Sequence, residues 1–236
     1  MKLLSYRFQN TDRAALWVDG QAYDVASLEA HFGPNMAGLL ANWEASSQSL
    51  RVLEQGLMNG SLQATPLVLN QEDWLSPVPR PTSCRDGYAF RQHVESARRN
   101  RGVPMIEEFD HQPIFYFTNH QAVSGPGPVR CMPDHFRQLD FELEVAVVVG
   151  RKARNIPAHD ADACIAGYTI MNDWSARTLQ MEEMLLSLGP AKGKDFDDSI
   201  ILGPVIVTRD ELDDPYNLRM QARVNGETWC DSNSNT

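Results

Sequence analysis

The sequence predicts a strand-dominated α+β protein. Short apolar segments bounded by turn residues recur along most of the chain, while helical periodicity is confined to a few stretches. A proline-marked joint also divides a small α+β unit, residues 1–76, from a larger strand-rich unit, residues 77–236. With 236 residues, 42% of them hydrophobic, the chain can build one large domain or two modest ones around a sizeable core.

In the first unit, LLSYRF and AALWVDGQAYDV read as short strands, the second interrupted by the turn pair Asp19-Gly20. SLEAHF and MAGLLANWEASSQSLRVLEQGLMNG follow with helical spacing, and Asn59-Gly60 supplies the stop. Pro77, Pro79 and Pro81 then alternate through LSPVPRPTSCRDG. Each fixes φ and lacks an N–H, so this stretch is extended and cannot lie inside a central ladder.

Beyond the joint, GYAFRQHVESARRNRG reads as a helix whose last turn carries Arg98, Arg99 and Arg101, with Gly102 as its stop. Strands follow at PIFYFTN, FELEVAVVVG, CIAGYTIMND and ILGPVIVTRDEL. Between the last two, Met181, Met184, Leu185 and Leu188 fall at i, i+3, i+4 and i+7, which predicts a helix with an inward-packing apolar stripe. Core packing is likewise the default for the FYF strand, and the polar end DSNSNT shows neither strand nor helix pattern.

Acidic residues outnumber basic ones 31 to 21, for a formal charge of −10 and a pI near 5.0, which argues against a nucleic-acid partner. No stretch approaches the roughly 20 apolar residues of a membrane span, and the opening apolar run is too short for a secretory core. The expectation is a cytoplasmic protein with no membrane partner. Cys84, Cys131, Cys164 and Cys230 form no CxxC pair and read as reduced thiols.

The segment QLDFELEVAVVVG places Glu142 and Glu144 on one face of a strand, because side chains alternate. Such positions lie about 6.6 Å apart, where two like charges repel by roughly 2.5 kcal/mol at intermediate dielectric. Either water screens the pair, or a hard divalent cation turns it into a chelate. Spacing alone leaves both open.

Asp173, delivered by IAGYTIMNDWSAR at a strand-to-helix junction, is either an N-cap or a further carboxylate ligand, and Arg177 and Gln180 share its face if the helix begins there. Asp86 precedes the helix carrying His93 and admits the same two readings, with Tyr88 and Arg91 as ordinary surface residues in the simpler one. GPAKGK is no nucleotide loop, since three residues separate its glycines, Asp195 replaces the required Ser or Thr, and a helix precedes it. Gly193 either makes a tight turn or brings Lys194 close to a ligand; SGPGP reads as a turn.

Together, RDGYAFRQHV, PIFYFTN, LDFELEVAVVVG, GYTIMNDWSAR..Q and GPAKGKDFDDS resemble, in order, the motifs of the fumarylacetoacetate hydrolase family. The resemblance runs from the proline joint almost to the end of the chain; residues 1 to about 75 resemble the family's variable N-terminal domain. It implies a mixed β-sandwich roll as catalytic domain, and a Mg²⁺ or Ca²⁺ ion, with Mn²⁺ as a further candidate, held by Asp86, Glu142, Glu144 and Asp173. By the same resemblance His93 is the general base, Lys194 a catalytic-site lysine, and Tyr88, Tyr116 and Gln180 face the substrate; Arg177 either binds the substrate by adding positive charge toward it or pairs with Asp173.

The implied reaction is hydrolytic C–C cleavage of a 1,3-diketone acid, of fumarylacetoacetate or acylpyruvate type, through an enolate stabilised by the cation. A homodimer and a small oxo-acid substrate belong to the same expectation. Decarboxylation, isomerisation or dehydration of a 2-oxo acid is the alternative on this scaffold, and a non-catalytic cation-binding protein is the rival from another class. Met184 stands where fumarylacetoacetate-cleaving members carry a substrate-contacting tyrosine, a departure that bears on the acyl group accepted. The family's catalytic domain continues through further strands and an acidic partner for the histidine, so the resemblance implies a chain longer than this one and a sheet edge left unpaired.

Overall fold

The computed structural model describes residues 1–28, 31 and 33–235. Three strands open the chain: β1 (Lys2–Phe8), β2 (Thr11–Val18) and β3 (Gln21–Asp24). Asp19 and Gly20 both take positive φ, 48° and 81°, as a tight turn matched to strand twist requires. Of SLEAHF, Ser27 and Leu28 close the short helix α1 (Val25–Leu28), whereas Glu29, Ala30 and Phe32 lie outside the described residues.

The long helical stretch divides at Asn42 into α2 (Met36–Ala41) and α3 (Trp43–Met58). Asn35 caps α2 by accepting the Gly38 N–H at 3.1 Å, and Gly60 follows α3 at φ 74°. After the short β4 (Trp74–Leu75) and the proline joint come β5 (Cys84–Gly87), α4 (Arg91–Asn100), β6 (Phe115–Thr118), β7 (Val123–Ser124) and β8 (Leu139–Asp140). The chain then forms β9 (Leu143–Val149), β10 (Ile165–Asp173), β11 (Ser175–Ala176), α5 (Arg177–Met184), β12 (Ile200–Thr208), β13 (Arg219–Val224) and β14 (Glu227–Asn233).

An eight-stranded sheet has the order β3-β2-β1-β12-β10-β9, with β4 beside β1 and β7 beside β12. All its pairs are antiparallel except β7 with β12. The sheet therefore runs across the proline joint, since β1 pairs directly with β12. Its main core packs Leu3, Leu16, Val148, Ala166 and Ile206 against Met36, Leu39 and Leu50 of the helices. Leu4, Tyr6, Ala15 and Ala22 bury the other face of the first strands under Leu67, Leu69 and Trp74. Close approach explains Gly150, where a Cβ would stand 2.7 Å from the Trp43 ring.

Three sequence expectations are corrected. α5 ends at Met184, and Met181, Leu185 and Leu188 are exposed, the two leucines at 82% each; periodicity identified a helix whose apolar stripe has no covering element among the described residues. In β6, Phe115 and Phe117 also face outward under the Arg85 guanidinium, with Tyr116 turned the other way. The polar end is not patternless: Asp231–Asn233 belong to β14, which pairs with β13 through the positive-φ turn Asn225-Gly226. Among the described residues no helix is long and apolar enough to cross a membrane, and the four cysteines are free.

Candidate metal centre

Three strands deliver the acidic groups. Asp86 sits in β5 directly opposite Tyr116 of β6, Glu144 lies in β9 opposite Met171, and Asp173 is the last residue of β10. One carboxylate oxygen from each of Asp86, Glu144 and Asp173 lies within 4.8 Å of the other two. Both capping readings are thereby corrected: Asp86 and Asp173 are strand residues, and Phe90 and Ala176 hold the N-cap positions of α4 and α5.

Glu142, immediately before β9, is held differently. Lys194 Nζ stands 2.8 Å from its Oε1, Arg177 Nη1 donates to the same oxygen at 2.7 Å, and Ser175 Oγ donates at 3.3 Å. Arg177 also engages Asp140 through Nε at 2.9 Å and Gln180 through Nη1 at 3.0 Å. The alternative pairing of Arg177 with Asp173 is not what the structure contains; Asp173 instead accepts Lys194 Nζ at 2.7 Å. Arg177, itself held by Gln180, thus braces Glu142, whose carboxylate lies beside that of Glu144 but outside the group of three converging oxygens.

The electrostatics follow from this layout. Burial opposes charge on Glu142, but the Lys194 ammonium and the Arg177 guanidinium overcome it and bring its pKa down to about 2. Glu144 has no such cation beside it among the described residues: burial, then the charges of Asp86 and Glu142, push it up to about 9. Burial raises Asp173 to about 7, with Lys194 offsetting part of the effect. Lys194 is raised despite burial, because two carboxylates face it, and Tyr116 is raised by burial and by Asp86, whose Oδ2 accepts its hydroxyl at 2.8 Å.

Does this set fit a divalent cation? Asp173 is fully buried at 0% exposure, and its Oδ1 has no hydrogen-bond partner among the described residues. A buried acceptor left in that state is costly unless something positive meets it. Like charges within 4.8 Å repel by roughly 3 kcal/mol at intermediate dielectric, and hard oxygen donors in this number suit Mg²⁺, Ca²⁺ or Mn²⁺. The residues fit.

His93 is carried by α4. It is exposed in the first turn of α4, and its ring faces Tyr88, itself exposed, at 6.0 Å between centroids. Lys194 is drawn inward to 3% exposure by a loop in which Gly193 packs on α5: a Cβ there would meet the Gln180 backbone N at 2.7 Å. The tight-turn reading of Gly193 applies, and its missing side chain is what allows the approach to α5. Sequence reasoning missed Asp140, Ser175 and Asp195. Asp195 accepts Thr118 Oγ1 at 3.1 Å and the Asn119 N–H at 3.0 Å, tying the lysine loop to the end of β6. Asp140 was visible as the residue two before Glu142, the same spacing that relates Glu142 to Glu144.

A strand-rich α+β fold that brings carboxylates from three separate strands around one point, with a buried lysine beside them, defines a protein with an acidic divalent-cation centre. The chain belongs to the fumarylacetoacetate hydrolase family: residues 82–236 match the family model described as Fumarylacetoacetate (FAA) hydrolase C-terminal. It is 34% identical over 222 residues to the bovine oxaloacetate tautomerase FAHD2A, mitochondrial, covering 92% of this chain and 64% of that relative. The human oxaloacetate tautomerase FAHD2A, mitochondrial, is 32% identical, with 100% of this chain and 71% of the relative covered. The chain thus spans somewhat under two thirds of the length of the bovine protein. Among solved structures, maleylpyruvate hydrolase from Sphingobium sp. SYK-6, in complex with manganese(II) ion and pyruvate, superposes with a TM-score of 0.71 at 20% identity. That likeness covers 100% of this chain and 77% of that one, and it concerns the fold.

Proposed function

We propose that this chain belongs to a divalent-cation-dependent enzyme that interconverts the keto and enol forms of an oxaloacetate-like 2-oxo acid. The observation that carries the reading is the convergence of Asp86, Glu144 and Asp173, with the unpartnered Asp173 Oδ1 beside buried Lys194. The names of the bovine and human relatives favour tautomerisation over other enolate chemistry.

Asp86, Glu144 and Asp173 would hold Mg²⁺, Ca²⁺ or Mn²⁺. When bound, the ion supplies Lewis acidity that stabilises negative charge on a substrate oxo oxygen. Lys194 holds Asp173 and Glu142 at fixed positions and adds positive charge to the site. Tyr116 orients Asp86 through its hydroxyl. His93, open to water in the first turn of α4, moves the proton to and from substrate carbon, and Tyr88 beside it contacts the substrate.

The second reading is hydrolysis of a 1,3-diketone acid, in which His93 takes its proton from water instead of carbon; the exposure of His93 and the family match favour it. The two separate in one assay series with Mg²⁺ present. Accelerated loss of the ultraviolet absorbance of enol-oxaloacetate supports the tautomerase, consumption of acylpyruvates or fumarylacetoacetate supports the hydrolase, and CO₂ release from oxaloacetate marks a decarboxylase. If Mg²⁺ raises the melting temperature while none of these acids is transformed, the protein is a cation binder and both enzymatic readings fail. A homodimer belongs to the same proposal and is read by light scattering.

A further inference from the structure

Glu183, in the last turn of α5, has no part in the centre described above. Its carboxylate accepts three consecutive backbone N–H groups: Ala191 at 2.8 Å and Gly193 at 3.1 Å on Oε1, and Lys192 at 2.7 Å on Oε2. Successive amides turned toward one point make an anion-binding concavity, and here the chain supplies its own anion. Lys194 follows immediately. Its N–H and that of Asp195 both return to the Ala191 carbonyl, at 3.0 and 2.7 Å, closing a turn that sends the lysine side chain inward.

Little else fastens this loop to α5. The Ala176 N–H donates to the Gly193 carbonyl at 2.8 Å, a single neutral bond. Leu185, Leu186 and Leu188, which connect α5 to the loop, are all exposed, so apolar packing does not anchor it. Bonds from backbone N–H groups to a carboxylate are about twice as strong as neutral ones, which makes the Glu183 clamp the dominant polar attachment of the loop to α5, while Asp195 ties its far side to β6. A lysine side chain rotates about four bonds, so bridging two carboxylates at 2.7 and 2.8 Å demands a backbone origin that does not wander.

We infer that Glu183 is a positioning residue: by clamping the amides of residues 191–193 it fixes the point from which Lys194 reaches Asp173 and Glu142. Lys194 matters to turnover only if the proposed enzymatic reading holds, so the clamp is tested first on the lysine itself. Wild type, E183A and E183Q are treated with an amine-acetylating ester in metal-free buffer, and peptide mass spectrometry follows Lys194 with exposed Lys192 as internal reference. In wild type, Lys194 reacts slower than Lys192 by about 10-fold or more; E183A loses most of this protection, and E183Q, which keeps one acceptor oxygen, loses part.

A folded E183A that shields Lys194 as wild type does overturns the inference. If E183A does not fold, E183Q decides by the same criterion. In the keto–enol assay, E183A lowers kcat by about 10- to 100-fold with KM nearly unchanged, because the lysine is displaced and not removed. Deprotected Lys194 with full kcat in an active protein also overturns the inference. Deprotection in E183A, when neither variant nor wild type transforms any 2-oxo acid, sinks the enzymatic reading and leaves the clamp standing.

Discussion

Lys194 Nζ lies 2.7 Å from Asp173 Oδ2, and both side chains are closed to solvent. With Glu142 Oε1 a further 2.8 Å from the same ammonium, one cation of the chain joins two carboxylates from the two sides of β9 and β10's shared end. The lysine partly neutralises a site that also holds Glu144, which burial and its acidic neighbours push up to about 9. That imbalance governs the stability of the metal-free protein and its response to an added ion.

Removing the ammonium exposes the imbalance directly. K194M leaves Asp173 buried without its counter-ion and destabilises the metal-free protein by about 3 kcal/mol. Urea denaturation measures the loss, and saturating MgCl₂ recovers part of it by binding the folded state alone. A variant as stable as wild type in chelator would show that the pair contributes no stability.

The pH dependence has a defined sign. An unfolded chain releases the Glu144 and Asp173 protons near their ordinary values, 4.5 and 3.8, whereas the folded protein holds them to about 9 and about 7. Between those limits the folded state binds more protons, so the contribution is fully present below the unfolded values and is lost as pH rises through the folded ones. Glu142, lowered to about 2, acts oppositely: its contribution is present above 4.5 and fades as pH falls toward 2. Cation binding needs the deprotonated carboxylates, so Mg²⁺ affinity measured by calorimetry rises from pH 6 toward about 9, with proton release. Flat affinity over that range would remove Glu144 and Asp173 from the ligand set.

The oxygen geometry ranks the acidic residues. D86N, E144Q and D173N each weaken Mg²⁺ binding by more than about 100-fold, while E142Q, acting through Lys194 and Arg177, costs about 10- to 100-fold. The family resemblance placed all four among the ligands. Calorimetry giving E142Q the same loss as D173N would restore Glu142 to that set.

How much of this was legible beforehand depended on whether a pattern was local. Alternation located β9 and β10, and the turn pairs Asp19-Gly20 and Asn59-Gly60 sit where the backbone takes left-handed values or a helix stops. Asn225-Gly226 is an equally strong hairpin sign, yet the polar residues after it masked β14, because an exposed strand need not alternate. Motif order pointed to Asp86, Glu144 and Asp173, which the fold brings together, and to Glu142, whose surroundings depend on which cations the fold brings beside it, a long-range fact. Periodicity in residues 181–188 reports a helix face but never says what covers that face.

That last point is measurable. Because Leu185 and Leu188 are exposed, L185E and L188E, alone or together, change the melting free energy of the monomer by no more than about 0.5 kcal/mol per site. An inward-packed stripe would cost several times as much for each buried charge. If light scattering finds a dimer that the double variant dissociates, the stripe is a contact between copies, and the monomer's own stability still distinguishes the two cases.

His93 is the residue whose exposure and assigned role stand furthest apart. Its place in the first turn of α4, against the Tyr88 ring and open to water, makes H93A a surface change that leaves fold and Mg²⁺ affinity intact. A base that moves the substrate or water proton contributes about 10² to 10⁴ in rate, so turnover falls by that order while calorimetry shows the same Mg²⁺ isotherm. The pairing of the two measurements is what discriminates. Lost binding would mean that His93 supports the acidic centre structurally, and unchanged turnover with unchanged binding would pass the proton-transfer role to another group, with Lys194 the first to examine because it lies buried against two of the carboxylates.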